Sequence, residues 1–283
     1  MAALLLAFTL LPGRAGTLVQ FRTTFGDIAV ELYDQDKPVT VQNFIRYVQS
    51  GRYANEFSHR LVPGFVLQGG GFTLTNNTIS AIPAYPPITN EFGVGPQLSN
   101  VYGTIAMAKI AGDTNSATSQ WFFNLVNNTF LDTPDTNNFF VVFGHVVHGT
   151  NVLNLFNGFQ YAFPGVATSQ ATNLVLYHYF SPPFDTLPVV AASLTASNTV
   201  SGFANSNLVF IDITLLQVAI QPVGGGREIS WNSTAGMTNL IEFTTNLPPA
   251  WNTLVSTNGT GSRMAVVDSA ADPKRFYRVR VVN

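Results

Sequence analysis

Arg60 is the residue whose surroundings most invite a chemical role. It lies in Phe57-Ser-His-Arg-Leu-Val-Pro-Gly-Phe-Val-Leu-Gln-Gly-Gly-Gly71, an otherwise apolar segment that closes on Gln68 and three glycines. A guanidinium keeps its proton and carries five donors, so burying it unpaired is costly. A strand that holds Arg60 beside Val62, Phe65 and Val66 either pairs the charge or uses it. Paired, it is a structural arginine bonded to backbone. Used, it is a fixed donor for an atom that gains electron density during a reaction. The segment alone leaves both readings open.

Other reactive side chains are few. His59 reads as a buried, hydrogen-bonded histidine rather than a base. His145 and His148 have metal-like spacing, but on a strand they face opposite sides and no third ligand is close in sequence. The chain has no cysteine, which excludes disulfides, thiolate catalysis and Cys-ligated metals together. Four Asn-x-Thr sequons, at Asn76, Asn127, Asn232 and Asn258, are what an Asn/Thr-rich chain produces by chance.

The whole composition narrows the partners. Charged residues are 10% of the 283, against about 25% in an average soluble domain. The net charge is -2, so neither a nucleic acid nor an anionic membrane is an expected partner. The opening Met1-Ala-Ala-Leu-Leu-Leu-Ala-Phe-Thr-Leu-Leu11 is apolar but shorter than the ~20 residues a spanning helix needs. Small residues follow near Ala15. Residues 1–15 are therefore expected to be a secretory signal, although no Lys or Arg precedes the apolar run. Export to the periplasm or the medium follows from that, and no stable membrane insertion is expected.

Alternation over residues 18–23 and 27–33 predicts a hairpin. Pro38 opens a helix over residues 38–49, with Val41, Phe44, Ile45 and Val48 on one face. Buried strands are expected in the Arg60 segment, over residues 104–109, 119–125 and 139–147, and over 207–216. Residues 73–100 read as a long loop, and 151–156 as a short helix. A second boundary is expected near Pro222-Val-Gly-Gly-Gly226. Beyond it, residues 223–283 read as a small β-sandwich-like domain of short alternating strands.

The ordered motifs resemble the cyclophilin family of peptidyl-prolyl cis-trans isomerases, and in particular its bacterial, exported members. Ser58-His-Arg-Leu-Val-Pro-Gly-Phe-Val-Leu-Gln-Gly-Gly70 is similar to the family signature. Ser119-Gln-Trp-Phe-Phe123, Phe130-Leu-Asp132, Val141-Val-Phe-Gly144 and Met107-Ala108 are similar to further blocks in the same order. The resemblance implies a mainly β fold: an eight-stranded closed barrel capped by two helices, over residues 17–218, with an insertion at about 157–206. It implies a catalytic Arg60 oriented by Gln68, with Phe65 and Phe122 walling a proline pocket. Met107, Ala108, Lys109, Gln120, Phe130, Leu131 and Phe140 are implied to bind substrate. Ser58, Lys109, Trp121, Phe130 and Phe140 depart from the commonest family residues, yet none removes the arginine or the pocket.

The implied reaction needs no cofactor and no metal. Rotation about an X-Pro bond breaks no bond but crosses a barrier of roughly 18–20 kcal/mol. The implied partners are proline-containing polypeptides, met by a monomer. An alternative reading is a proline-peptide binding module with weak catalysis, attached to a surface through the C-terminal domain. There Trp231 and Trp251 offer a carbohydrate contact, or else are core.

Overall fold

The computed structural model describes residues 16–133, 139–162, 174–177, 182–190, 207–216, 218–233, 238–246, 249–260, 262–272 and 274–282. The secretory signal expected over residues 1–15 lies outside them.

Alternating side chains build the first hairpin. Leu18–Thr23 (β1) pairs with Gly26–Leu32 (β2), and Val19, Phe21, Ile28, Val30 and Leu32 all turn inward. Helix α1 covers Pro38–Gln49, with the proline pre-setting the first turn. It has no side-chain cap of its own. Glu91 fills that need from a distant loop, its carboxylate accepting the Val39 and Thr40 N–H groups at 3.0 and 2.7 Å.

Arg60–Val62 (β3), Val66–Gly69 (β4), Thr104–Met107 (β7), Trp121–Asn124 (β8), Val142–His148 (β9) and Ile211–Leu216 (β13) complete one sheet. Its order is β13-β1-β2-β9-β7-β8-β4-β3, eight strands curled around the core. The edges meet just ahead of β3 and β13. Phe57 bridges Phe210, Ser58 N–H donates to Val209 at 2.9 Å, and Ile211 N–H donates to Glu56 at 3.0 Å. The expected closure is therefore a short stitch. The outer edge of β3 is instead met by Thr186, whose carbonyl accepts Leu61 N–H at 2.8 Å.

Inside the curl, Phe21 packs edge-on against Trp121 and Phe123, while Phe44 and Tyr47 of α1 close one end. Helix α2, Thr150–Leu155, brings Val152 and Leu153 to the same core. Both helices are short, so their stability comes from these buried faces rather than from helix propensity.

Two expectations change, and the expected insertion takes on structure. Residues 73–100 are not one loop: Phe72–Thr75 (β5) and Thr78–Ala81 (β6) form a hairpin. Asn76 and Asn77 make its two-residue turn, both at positive φ, which asparagine tolerates. The region at 157–206 holds a three-stranded sheet of Gln160–Ala162 (β10), Leu174–Tyr177 (β11) and Leu187–Val190 (β12). Leu187 and Val189 pack with Phe57 and Leu208, over the stitch. The expected boundary near residues 222–226 is the turn of a hairpin. Val218–Val223 (β14) pairs with Gly226–Asn232 (β15) around Gly224 and Gly225.

The C-terminal part has two three-stranded sheets. One is β14-β15-β18, with Arg263–Asp268 as β18. The other is β17-β16-β19, from Asn252–Asn258, Thr238–Thr244 and Phe276–Val282. Ile229, Trp231, Ile241 and Val279 form its core. Trp231 is 1% exposed and donates to Asn239, so it is structural and offers no carbohydrate contact. Trp251 is partly exposed, with the Arg278 guanidinium 4.3 Å from its ring.

Candidate active site

The period of two in the strands sorts side chains between the core and an outer face. Leu61, Leu67, Ile105, Trp121 and Phe123 point into the curl. Their neighbours point out, and pairing aligns them. Arg60 stands opposite Gln68, Gln68 opposite Phe122, Phe122 opposite Ala106, and Ala106 opposite Val142. One row across five strands thus carries a cation, an amide and an apolar floor.

The row lies under an open cleft with a volume of about 240 Å³. Phe65, Val66, Phe122, Leu131 and Phe140 supply its apolar walls, and Arg60 and Gln68 one polar side. Phe122 meets Phe140 edge-on at 5.7 Å, and Phe130 stacks on Phe65 at 5.7 Å. Phe130 is 55% exposed and sits at the rim. Ala108 and Lys109, just past β7, also line it, with the Lys109 ammonium 4.6 Å from the Phe140 ring centre.

Arg60 is held at the mouth rather than in the core. Its guanidinium carbon lies 5.8 Å from the Phe65 ring centre, and its Nη1 lies 3.4 Å from Gln68 Oε1. Gln68 Nε2 donates to Gln120 Oε1 at 2.7 Å. The amide relay fixes one edge of the guanidinium plane while the cleft stays open to it. The chemistry available is hydrogen-bond donation to a group lying in an apolar slot.

Met107 is a correction. It was expected to wall the pocket, but it is 2% exposed and belongs to the core cluster with Ile105 and Trp121. The alternation of β7 turns it inward and gives Ala106 to the outer face. The wall is supplied instead by Val66, which the sequence alone offers only as a strand residue. Its position two residues before Gln68 on β4 is the signal that would have found it.

The glycines after Gln68 make room for bulky neighbours. A Cβ on Gly71 would meet His59 Cε1 at 2.7 Å, and Gly70 turns at φ 73°. His59 is 2% exposed, and burial first, then Arg60, pushes its pKa down to about 4. It is therefore neutral across the physiological range, a structural imidazole edge-on to Phe72. Glu56, fully buried, accepts Gly70 N–H at 2.9 Å, and burial pushes its pKa well above the usual carboxylate range.

A polar network unforeseen from sequence fixes the far wall. Asn124, fully buried at the end of β8, donates to Asn100 and Thr104 and accepts from Asn128. Asn128 also donates to the Phe65 carbonyl at 2.9 Å. Asn100 donates to Asp132 at 2.7 Å, which ties down the 3-10 turn of Thr129–Asp132 that presents Phe130 and Leu131.

His145 stacks on Tyr33 at 5.4 Å, away from the cleft, and among the described residues no cluster of three metal-ligating side chains occurs.

Residues 18–170 match the family described as cyclophilin type peptidyl-prolyl cis-trans isomerase/CLD. The chain is 41% identical over 140 residues to a peptidyl-prolyl cis-trans isomerase of Acinetobacter baylyi, covering 50% of this chain and 71% of that one. It is 43% identical over 136 residues to peptidyl-prolyl cis-trans isomerase A of Dickeya dadantii, covering 48% and 68%. Against peptidyl-prolyl cis-trans isomerase B of Escherichia coli it is 38% identical over 144 residues, covering 50% and 84%.

Proposed function

The chain belongs to the cyclophilin-type peptidyl-prolyl cis-trans isomerase family, and from that premise we propose that Arg60 carries the catalysis of X-Pro rotation in the outer-face cleft. The supporting observation is the register row that puts Arg60 and Gln68 beside the Phe122 floor.

The two planar forms of an X-Pro bond differ by only about 0.5–1 kcal/mol, but they exchange in tens to hundreds of seconds. A catalyst must therefore favour the twisted amide over both planar forms. In the twisted state the prolyl nitrogen loses amide resonance and holds a localised lone pair. A donor aimed there binds the nitrogen only in that state, which is selective stabilisation. Arg60 is that donor in this reading. The apolar walls of Phe65, Val66, Phe122, Leu131 and Phe140 grip the ring while the preceding carbonyl swings. Ala108 and Lys109 offer backbone to the bound peptide. Gln68 and Gln120 keep the guanidinium aimed. Its clients, in this proposal, are exported polypeptides, a reading supported by the apolar run over residues 1–11.

The test is an isomerisation assay on a proline peptide with wild type and Arg60→Ala. Wild type is expected to accelerate exchange, and Arg60→Ala to lose about 10²–10³ in kcat/KM, the usual effect of deleting one such donor. A wild type that binds the peptide without accelerating exchange overturns the proposal and leaves a binding module.

A further inference from the structure

Arg60 opens a strand of only three residues, and β3 stands last in the order of the eight-stranded sheet. One side of β3 is paired to β4 over Arg60, Leu61 and Val62. A short end strand with nothing on its other side frays, and a side chain carried on it loses its aim. Here the other side is held by the segment inserted between α2 and β13, where the Leu61 N–H donates to the Thr186 carbonyl at 2.8 Å. Taking the reading of Arg60 as the donor to the prolyl nitrogen as its basis, we propose that Phe184, Thr186 and Leu187 are positioning residues for the reaction, bracing β3 so that Arg60 stays aimed into the cleft.

The brace is anchored on both sides of Thr186. Before it, the Phe184 ring lies 4.7 Å from that of Phe72 and 6.4 Å from that of Phe57. After it, Leu187 and Val189 are wholly buried in the cluster that holds Phe57 and Leu208. Leu187 N–H donates back to the Phe184 carbonyl at 3.2 Å, closing the turn that presents Thr186. Val189 bridges Leu208, and the Asn207 side chain donates to the Val190 carbonyl at 2.6 Å. The residues ahead of Arg60 are gripped from the same side. Phe57 packs within the cluster, and His59 lies edge-on to Phe72, which itself meets Phe184. Contacts from the insertion and from Phe72 thus fall at residues 57, 59 and 61, and Arg60 between the last two is left to line the cleft. The 3.4 Å contact with Gln68 is too long to draw a displaced guanidinium back into line, so the backbone of β3 sets where the donor starts. A misplacement of about 1 Å at a reacting centre can cost on the order of 10²-fold in rate. Phe184, Thr186 and Leu187 do not line the cleft, so they act through Arg60 and not on the peptide.

The experiment uses the full chain, with Phe184→Ala and Arg60→Ala made singly and together, at a temperature where circular dichroism shows each variant folded. Exchange on a proline peptide gives kcat, an NMR titration gives its Kd, and hydrogen exchange reports on each strand. Phe184→Ala is expected to lower kcat about five- to tenfold and to change Kd less than about twofold. The Leu61 amide should exchange faster while β8, further into the sheet, keeps its protection. Phe184→Leu, which keeps most of the apolar volume, should recover most of the lost kcat. Leu187→Val trims the other anchor more gently and should lower kcat about twofold with the same exchange signature, so it carries the test if Phe184→Ala does not fold. Added to Arg60→Ala, Phe184→Ala should cost nothing further, because the donor it positions is gone. Faster Leu61 exchange with wild-type kcat overturns the brace and leaves Arg60 as the donor. A loss that persists undiminished in the Arg60→Ala background overturns it as well. If Arg60→Ala itself keeps wild-type kcat, the reading of Arg60 falls, and the brace falls with it.

Discussion

Arg60 and Gln68 face one another across the β3–β4 ladder, and the guanidinium Nη1 stands 3.4 Å from Gln68 Oε1. That spacing is at the long limit of a hydrogen bond, so Gln68 orients Arg60 without holding it tightly. The firm link is the next one, 2.7 Å from Gln68 to Gln120. A donor that must meet a transient lone pair gains from being aimed, and loses if a tight partner has to be given up first.

Gln68→Ala is therefore expected to act through Arg60. The arginine keeps its charge but loses the Gln68 contact. The expected outcome is a fall of about tenfold in kcat with little change in peptide Kd, since positioning acts on the transition state more than on binding. Gln120→Ala should give a smaller loss of the same kind. Matched titrations and exchange rates on both variants check the split.

The far wall should behave differently. Asp132→Ala releases Asn100 and with it the turn that presents Leu131 and Phe130. The grip on the proline ring then loosens, and KM is expected to rise more than kcat falls. Asn124→Leu removes a buried amide that serves Asn100, Thr104 and Asn128 at once. It should cost about 1–3 kcal/mol of stability, the range for leaving buried partners unmatched. Urea melts beside steady-state kinetics separate the two effects.

Glu56 sets up a stability that depends on pH. Its carboxyl is fully buried, accepts Gly70 N–H, and has Oε1 with no partner in the structure. Burial raises its folded pKa, so its contribution is present in acid and is lost as pH rises through that pKa. His59 works in the other window. Its folded pKa, about 4, lies below the unfolded value near 6.5, so its contribution is present above 6.5 and is lost as pH falls toward 4. Glu56→Gln keeps an acceptor for Gly70 and cannot ionise. It should raise the melting temperature at pH 8 by about 2–4 °C for each kcal/mol recovered, and by less at pH 5. A melting series from pH 4 to 9 on both proteins decides it.

Much of this was legible in the chain before any coordinates. The β1–β2 hairpin and α1 carry strong periodicity, and their bounds follow from Pro38 and the alternation alone. Arg60 stood out because a charge in an apolar strand demands a reason. What stayed hidden depends on distance in sequence. The Glu91 cap on α1, the Asn100–Asn124–Asn128–Asp132 network and the Thr186 contact to β3 join residues that no local pattern connects. Met107 resembles a pocket residue by its block alone, but the phase of its strand turns it inward, and one residue of phase exchanges the core for the surface. The β5–β6 hairpin is hidden among loop-forming residues, with Asn76-Asn77 at its turn as the one local signal.

The place of β1 between β2 and β13 has a consequence for synthesis. The site strands β3, β4, β7, β8 and β9 all leave the ribosome before Ile211–Leu216 exists, yet the N-terminal strand has an open hydrogen-bonding edge until that late segment arrives. A nascent chain that has made the whole row from Arg60 to Val142 thus still carries a sticky margin for about sixty residues more. Completion of the fold is timed by the arrival of a strand that lines no part of the cleft.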